Sequence, residues 1–198
     1  MGLFFSLNMR TSTKIALLFT GIWFLGKYCF FYFQILQTSE QYPLQVMWNI
    51  FCLLLAMSIG SLIEKRREKA SESSALGDIK STLKIGMIYT VIVGGLIYLY
   101  YAKIDPAYNE NQIAVIEQTM QKMVDDPVQL KKFRSERPEF EASTKEEIIK
   151  KSSENIRNWY NPTSVMTISL LAMLMLSVMN SLILTIIYRR ILFRQPKS

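Results

Sequence analysis

The chain has 198 residues, half of them hydrophobic, with a formal net charge of +7 and no histidine. The missing histidine removes the commonest metal ligand and the commonest general base near neutral pH. The apolar residues are gathered into long runs instead of being spread along the chain, which excludes one large soluble core.

Four runs are almost wholly apolar: Ile15–Leu36, Leu44–Ile63, Leu83–Ile104 and Val165–Ile187. A bilayer core of about 30 Å takes ~20 helical residues at ~1.5 Å rise each. Each run reaches that length, and soluble core helices rarely stay so apolar for so long. A membrane barrel would instead need alternating segments of about ten residues, which this sequence lacks. The expected fold class is all-α: a polytopic membrane protein with four transmembrane helices and a helical extracytoplasmic insert between helices three and four. Both cysteines, Cys29 and Cys52, lie inside apolar runs, where buried packing is expected and a disulfide framework is not.

The first fourteen residues carry Arg10 and Lys14 and no acid, so the first run reads as an uncleaved signal anchor. That run is aromatic-rich in its second half and holds Lys27. A lysine at mid-bilayer costs roughly 2.5–3.5 kcal/mol on insertion scales. Two readings of Lys27 stand: snorkelling toward a surface, tyrosine hydroxyls or backbone carbonyls, or a buried cation that binds an anionic lipid head or a partner group. Asn180 reads as the one amide deep in a span. Helical rise brings its level within reach of a lysine side chain, so Lys27 and Asn180 are the expected buried polar pair.

The short Gln37–Pro43 connection makes the first two spans an antiparallel hairpin. Ala56 and Gly60 form a small-x-x-x-small pair suited to close helix approach. The segment Glu64–Thr82 is rich in lysine and arginine and reads as cytoplasmic by the positive-inside rule. Within it Lys65, Arg66, Arg67 and Lys69 are candidate contacts for lipid headgroups, at about 1 kcal/mol per basic residue. The plainer alternative is that they only set topology. Span three offers Gly86, Gly94 and Gly95 as a close-packing face. It ends in a collar of Tyr98, Tyr100 and Tyr101 at the outer interface, and Asp105-Pro106 terminates it.

The insert, residues 105–162, holds nine basic and eleven acidic residues. Ile113, Ile116, Met120 and Met123 recur at helical spacing and predict a helix over Asn111–Val124, stopped by Asp125-Asp126-Pro127. Val128–Ser135 adds a short helical stretch. Thr144-x-x-Glu147 is a capping box opening a further helix, with Ile148/Ile149, Ser152, Ile156 and Trp159 on its apolar side and Asn161-Pro162 at its end. These helices are expected to pack on each other and on the span ends. The two termini and the Glu64–Lys84 segment together hold twelve basic residues against four acids. Both termini are therefore expected inside and the insert outside.

The stretch ALGDIKSTLKIGMIYTVIVGGLIYLYYAKIDPAY, the later IRNWYNPTS and the closing YRRIL carry a resemblance. They are similar to a family of small four-span bacterial inner-membrane proteins catalogued as domain of unknown function forty-one ninety-nine. The resemblance covers most of the chain. It implies the topology and a bacterial inner-membrane location, and it carries over no functional residues.

The sequence shows no nucleophile–base set and no metal-ligand cluster, so no enzyme activity, cofactor or metal is expected. The favoured function is an accessory or interaction subunit of an envelope complex, touching membrane lipids and a membrane-protein partner or a second copy of the chain. A small oligomeric transporter or channel is the alternative. An enzyme acting on lipid at the outer surface, with Asp105, Glu110, Asp125 and Asp126 as its carboxylates, is a third reading. The positive charge flanks the spans and is not gathered on a folded domain, which argues against nucleic-acid binding.

Overall fold

A computed structural model describes residues 11–35, 41–67 and 74–192 of the chain. Seven α-helices and no strand occur among the described residues. They are α1 (Thr11–Tyr32), α2 (Tyr42–Arg67), α3 (Ala75–Leu99), α4 (Pro106–Asp125), α5 (Pro127–Glu136), α6 (Lys145–Tyr160) and α7 (Pro162–Ile187). Helices α3 and α7 each end in a π-helical turn, Tyr100–Ile104 and Tyr188–Leu192. The four expected runs correspond to α1, α2, α3 and α7, which are the helices long and apolar enough to cross a membrane. Two sequence features fall elsewhere: Lys69 and the tail beyond Leu192 lie outside the described residues, as does Leu36.

Each of these helices extends N-terminally beyond its apolar run, and for α3 and α7 a local cap, Ser74 or Asn161, sets the start. The third gains most. Ser74 Oγ accepts the Gly77 N–H at 3.0 Å, so α3 opens at Ala75, eight residues before the apolar run. At the other extreme α1 stops at Tyr32, short of Leu36. Gln34 takes φ 53°, and the Ile35 N–H reaches back to the Phe30 carbonyl at 2.9 Å. That is a left-handed helix cap, with the bond spanning six residues that a Schellman motif requires.

The chain divides into two compact units: Met1–Leu96 with Thr167–Ser198, and Ile97–Met166. The first is the bundle. Its packing follows from small residues on its helices. A Cβ on Gly26 would lie 2.5 Å from Trp48 Nε1, so the indole edge of α2 occupies a gap in α1, its N–H donating to the Trp23 carbonyl at 3.4 Å. One on Gly60 would meet Ile85 at 2.7 Å and Ile15 at 3.4 Å, which puts α3 and α1 on the same patch of α2. Ile85, Tyr89 and Val93 of α3 are fully buried at i, i+4 and i+8, so α3 turns one continuous stripe inward.

The glycines of α3 divide. Gly86 and Gly94 face α7, where an added Cβ would stand 2.8 Å from Ser177 Cβ and 2.7 Å from Leu170 Cγ respectively. Gly95, read from sequence as part of the same face, is exposed and an added Cβ meets nothing within 4 Å. It lies about 100° round the helix from Gly94, which is the whole reason. Gly86→Val is expected to destabilise the protein by about 1–3 kcal/mol, because Ser177 Cβ is fixed to backbone and cannot swing away. Gly95→Ala is expected to be neutral or stabilising by up to about 1 kcal/mol, from helix propensity alone. Thermal unfolding of both variants in one detergent checks the contrast.

The second unit is the insert with the adjoining helix ends. Its helices are punctuated by Asp105-Pro106, Asp126-Pro127 and Asn161-Pro162. Sequence reasoning reads these pairs as stops, and in the structure each is also a start. Asp105 accepts the Tyr108 N–H at 3.2 Å, Asp126 the Val128 N–H at 2.9 Å, and Asn161 the Ser164 N–H at 2.8 Å. In each case the proline sits at the first helical position, where its missing N–H costs nothing. The N–H groups of Val128 and Gln129 hold the Asp126 carboxyl below the usual carboxylate range. The Thr144 capping box is complete: the Glu147 N–H donates to Thr144 Oγ1 at 3.2 Å, and the Thr144 N–H donates to Glu147 Oε2 at 3.0 Å.

The insert has a core of its own. Val124, Leu130, Phe140 and Ile148 are buried together, with Met123, Phe133 and Ile149 against them. Ionic contacts tie α6 to α4: Arg157 stands 3.3 Å from Glu117, and Ser153 Oγ donates to the same carboxylate. The expectation that these helices pack on each other is met within this unit. Of the three tyrosines expected as a collar, Tyr98 is exposed, while Tyr100 and Tyr101, which open the π turn, are buried. The Tyr101 ring then lies 5.6 Å from that of Tyr108, and Tyr100 Oη donates to Asp105 Oδ2 at 3.5 Å.

Candidate functional site

Polar side chains inside the bundle fall into two sets. The first is distributed through the interior. Lys27 is 5% exposed, and its ammonium donates to Gln45 Oε1 of α2. Tyr89 Oη donates to Asn49 Oδ1 at 3.0 Å, and Asn49 Nδ2 meets Met173 Sδ at 3.3 Å. Asn180 Nδ2 meets Met57 Sδ at 3.6 Å.

The expected Lys27–Asn180 pair is therefore corrected. Lys27 is level with Gln45, while Asn180 is level with Met57, twelve residues further along α2. That is roughly 18 Å at ~1.5 Å per residue, well beyond a lysine's reach. The Lys27 side chain is buried and meets α2 at Gln45. Asn180 is also not the one amide in a span, since Gln45 and Asn49 lie in the second. Bonds of this kind between helices act as interhelical glue. Of the cysteines, Cys52 is buried as expected, but Cys29 is exposed on the outer side of α1.

The second set is concentrated at one end of the bundle, where α2 finishes, α3 begins and α7 enters its π turn. It grows out of three buried stripes. On α3 the stripe Val93, Tyr89, Ile85 continues at helical spacing to Thr82 and Asp78. On α2, Leu53, Met57 and Gly60 lead to Ser61, Glu64 and Lys65. On α7, Met173, Ser177, Ser181 and Leu184 lead to Tyr188. The stripes of α2 and α3 turn polar at this end, and that of α7, which already carries Ser177 and Ser181, ends in Tyr188, so polar groups are brought together where the three helices converge.

Lys65 Nζ lies 2.6 Å from Asp78 Oδ1, with side-chain exposures of 8% and 3%. The Arg189 guanidinium stands 3.9 Å from Asp78 Oδ2 and is itself part-exposed. Ser81 Oγ donates to Glu64 Oε2. Tyr188 Oη shares a hydrogen bond with Ser61 Oγ at 2.8 Å and donates to the Ser58 carbonyl at 2.9 Å. These groups surround a cavity of about 200 Å³. Two oxygens buried at the cavity wall, Asp78 Oδ2 and Thr82 Oγ1, have no hydrogen-bond partner among the described residues. Two carboxylates, two basic groups and four hydroxyls thus occupy a small volume, with the charge balanced internally.

The basic cluster expected to contact headgroups is split by the fold. Lys65 turns inward to Asp78, Arg66 is exposed, and Arg67 donates to Thr11 Oγ1 of α1 at 2.6 Å. Sequence reasoning took Asp78 and Glu64 only as acids within a basic segment. Their signal was their phase: Asp78 sits seven residues before the fully buried Ile85, on the same helix face. No group of three or more histidine, cysteine or acidic side chains placed to hold a metal ion occurs among the described residues.

Four apolar helices long enough to span, an interior crossed by interhelical polar contacts and a charged cluster at one end define a multi-pass α-helical membrane protein. Its chain matches, over residues 14–190, the family described as protein of unknown function DUF4199, and belongs to that family. No curated protein and no solved structure matches it.

Proposed function

We propose that this protein is an accessory or interaction subunit of a bacterial inner-membrane complex, with both termini cytoplasmic and the insert on the outer side. The orientation rests on the asymmetry of lysine and arginine about the spans. The function rests chiefly on the insert. A helical module with its own core still leaves Val115, Val128 and Trp159 exposed at 48%, 77% and 64%. Exposed aromatic and aliphatic residues on an ordered polar module suit a protein partner, or a second copy of the chain. Inside the bundle, by contrast, Lys27, Asn49, Lys65 and Tyr188 each bond to a side chain of a neighbouring helix.

The cavity between α2, α3 and α7 favours a second reading, a small oligomeric transporter or channel, since ionisable groups within membrane helices mark such paths. Mild-detergent affinity purification of the tagged protein, with and without Asn109–Tyr160, separates the two. A stoichiometric partner that disappears with the insert is the expected result. Recovery of the protein alone from both preparations would overturn the accessory reading and leave transport as the one to pursue.

A further inference from the structure

We propose that the cavity at the charged end of the bundle binds a phospholipid headgroup that carries a primary ammonium, as in an ethanolamine phospholipid. A row of basic residues in sequence suggests an anion site, but Glu64 and Asp78 line the cavity and Lys65 is already engaged by Asp78. A bare phosphate placed inside would be repelled by two carboxylates. An ammonium would be attracted by them.

Three observations fit an ammonium. Asp78 already holds one: Lys65 Nζ sits on Oδ1, while the buried Oδ2 accepts no hydrogen bond and has the Arg189 guanidinium 3.9 Å away. Ser61, Ser81, Thr82 and Tyr188 line the same space, and Thr82 Oγ1 is likewise unpartnered. Hydroxyl oxygens and carboxylates are the partners that three N–H donors require. The third observation is Arg189, whose guanidinium stands 3.9 Å from Asp78 Oδ2 while its side chain is 42% exposed. A ligand with an ammonium directed inward and a phosphodiester two carbons behind it would meet carboxylate first and guanidinium second. The cavity also lies where three spanning helices end, at headgroup level. The π turn at Tyr188 widens α7 at this point, and such turns are frequent at functional sites. The site goes beyond the accessory reading and does not depend on it.

The test uses the full chain, purified in detergent and titrated with short-chain phosphatidylethanolamine, phosphatidylcholine and phosphatidylglycerol and with water-soluble glycerophosphoethanolamine. Binding is read by native mass spectrometry and by the shift in unfolding temperature. Phosphatidylcholine has the same charge but no N–H to donate. Phosphatidylethanolamine is expected to bind about tenfold more tightly than either other lipid, the worth of one charge-assisted hydrogen bond. Glu64→Gln and Asp78→Asn are each expected to bring that preference to within about twofold, and a fold-neutral outcome for Glu64→Gln suffices if Asp78→Asn does not fold. Equal binding of glycerophosphoethanolamine would support the same chemistry and assign it to the soluble head. Equal binding of all three lipids to the unaltered protein, or a preference that survives Glu64→Gln, would overturn the proposal.

Discussion

Asp78→Ala is expected to destabilise the folded bundle by about 3–5 kcal/mol, because it leaves the Lys65 ammonium buried beside the space its partner occupied. The side chains are 8% and 3% exposed, so neither solvent nor salt screens the pair effectively. The magnitude comes from the stranded charge and not from the attraction itself. Removing both members makes the point: Lys65→Met combined with Asp78→Leu is expected to recover most of the loss. Buried ion pairs replaced by apolar groups of similar size are often neutral or better. Arg189→Ala, which removes a contact at 3.9 Å from a part-exposed side chain, is expected to change stability by less than about 1 kcal/mol. Unfolding of the unaltered protein, Lys65→Met, Asp78→Leu and the double variant in a common detergent closes the double-variant cycle that measures the coupling, with Asp78→Ala and Arg189→Ala unfolded alongside. A coupling near zero would mean that Lys65 and Asp78 do not stabilise each other. Equal losses from Arg189→Ala and Asp78→Ala would assign the pair to Arg189 instead.

Ile148→Ala is expected to loosen the insert by about 2–5 kcal/mol, the usual range for emptying a fully buried aliphatic site. Ile148 has no exposed surface and packs with Val124, Leu130 and Phe140. A core of so few residues has little stability to lose, so the effect is expected as local unfolding. Hydrogen exchange is the suitable measurement. Amides of α4, α5 and α6 should exchange faster, while those of the bundle should keep their protection. Val128→Ala, at a residue 77% exposed, serves as the comparison and is expected to change neither. Faster exchange throughout the bundle would contradict the division into two units. The variant also bears on function: if the insert recruits a partner as an ordered module, Ile148→Ala should lose that partner as the deletion does.

Particular residues show where sequence reasoning succeeds. The capping box at Thr144 and Glu147 was legible because both of its hydrogen bonds are made within four residues of chain. The Asp-Pro and Asn-Pro boundaries were legible for the same reason, although only half of their role was read. A carboxylate or amide before proline ends one helix by restricting the backbone and starts the next by capping it. The apolar stripe of α4 and α6 was read from helical spacing, and Ile113 and Ile148 are buried as that spacing requires. Trp159, placed on the same stripe, is exposed, because the core ends before the last turn of α6.

The candidate site was much less legible. Lys65 was read as one of four like residues, yet the helix phase that turns it inward leaves Arg66 outside. Asp78 sat in a stretch whose charge suggested solvent, and only the early start of α3 at Ala75 places it on the inward stripe. Lys27 and Asn180 each looked like the natural partner of the other, because they stood out among apolar neighbours. Each in fact meets a residue at its own level on α2.

The sequence by itself determined the number of apolar spans, the helical nature of the insert and, by resemblance, the family. The spans and the helices depend on apolar length, helical spacing and caps, each set by residues close together in the chain. Only the tertiary structure decided which polar groups meet. That choice depends on the vertical register of one helix against the next. The register is fixed by close approaches such as Gly26 under Trp48, Gly60 under Ile85 and Gly86 against Ser177. Such contacts join residues far apart in the chain, and a slip of one helical turn, about 5.4 Å, would exchange every partner while leaving each helix unchanged.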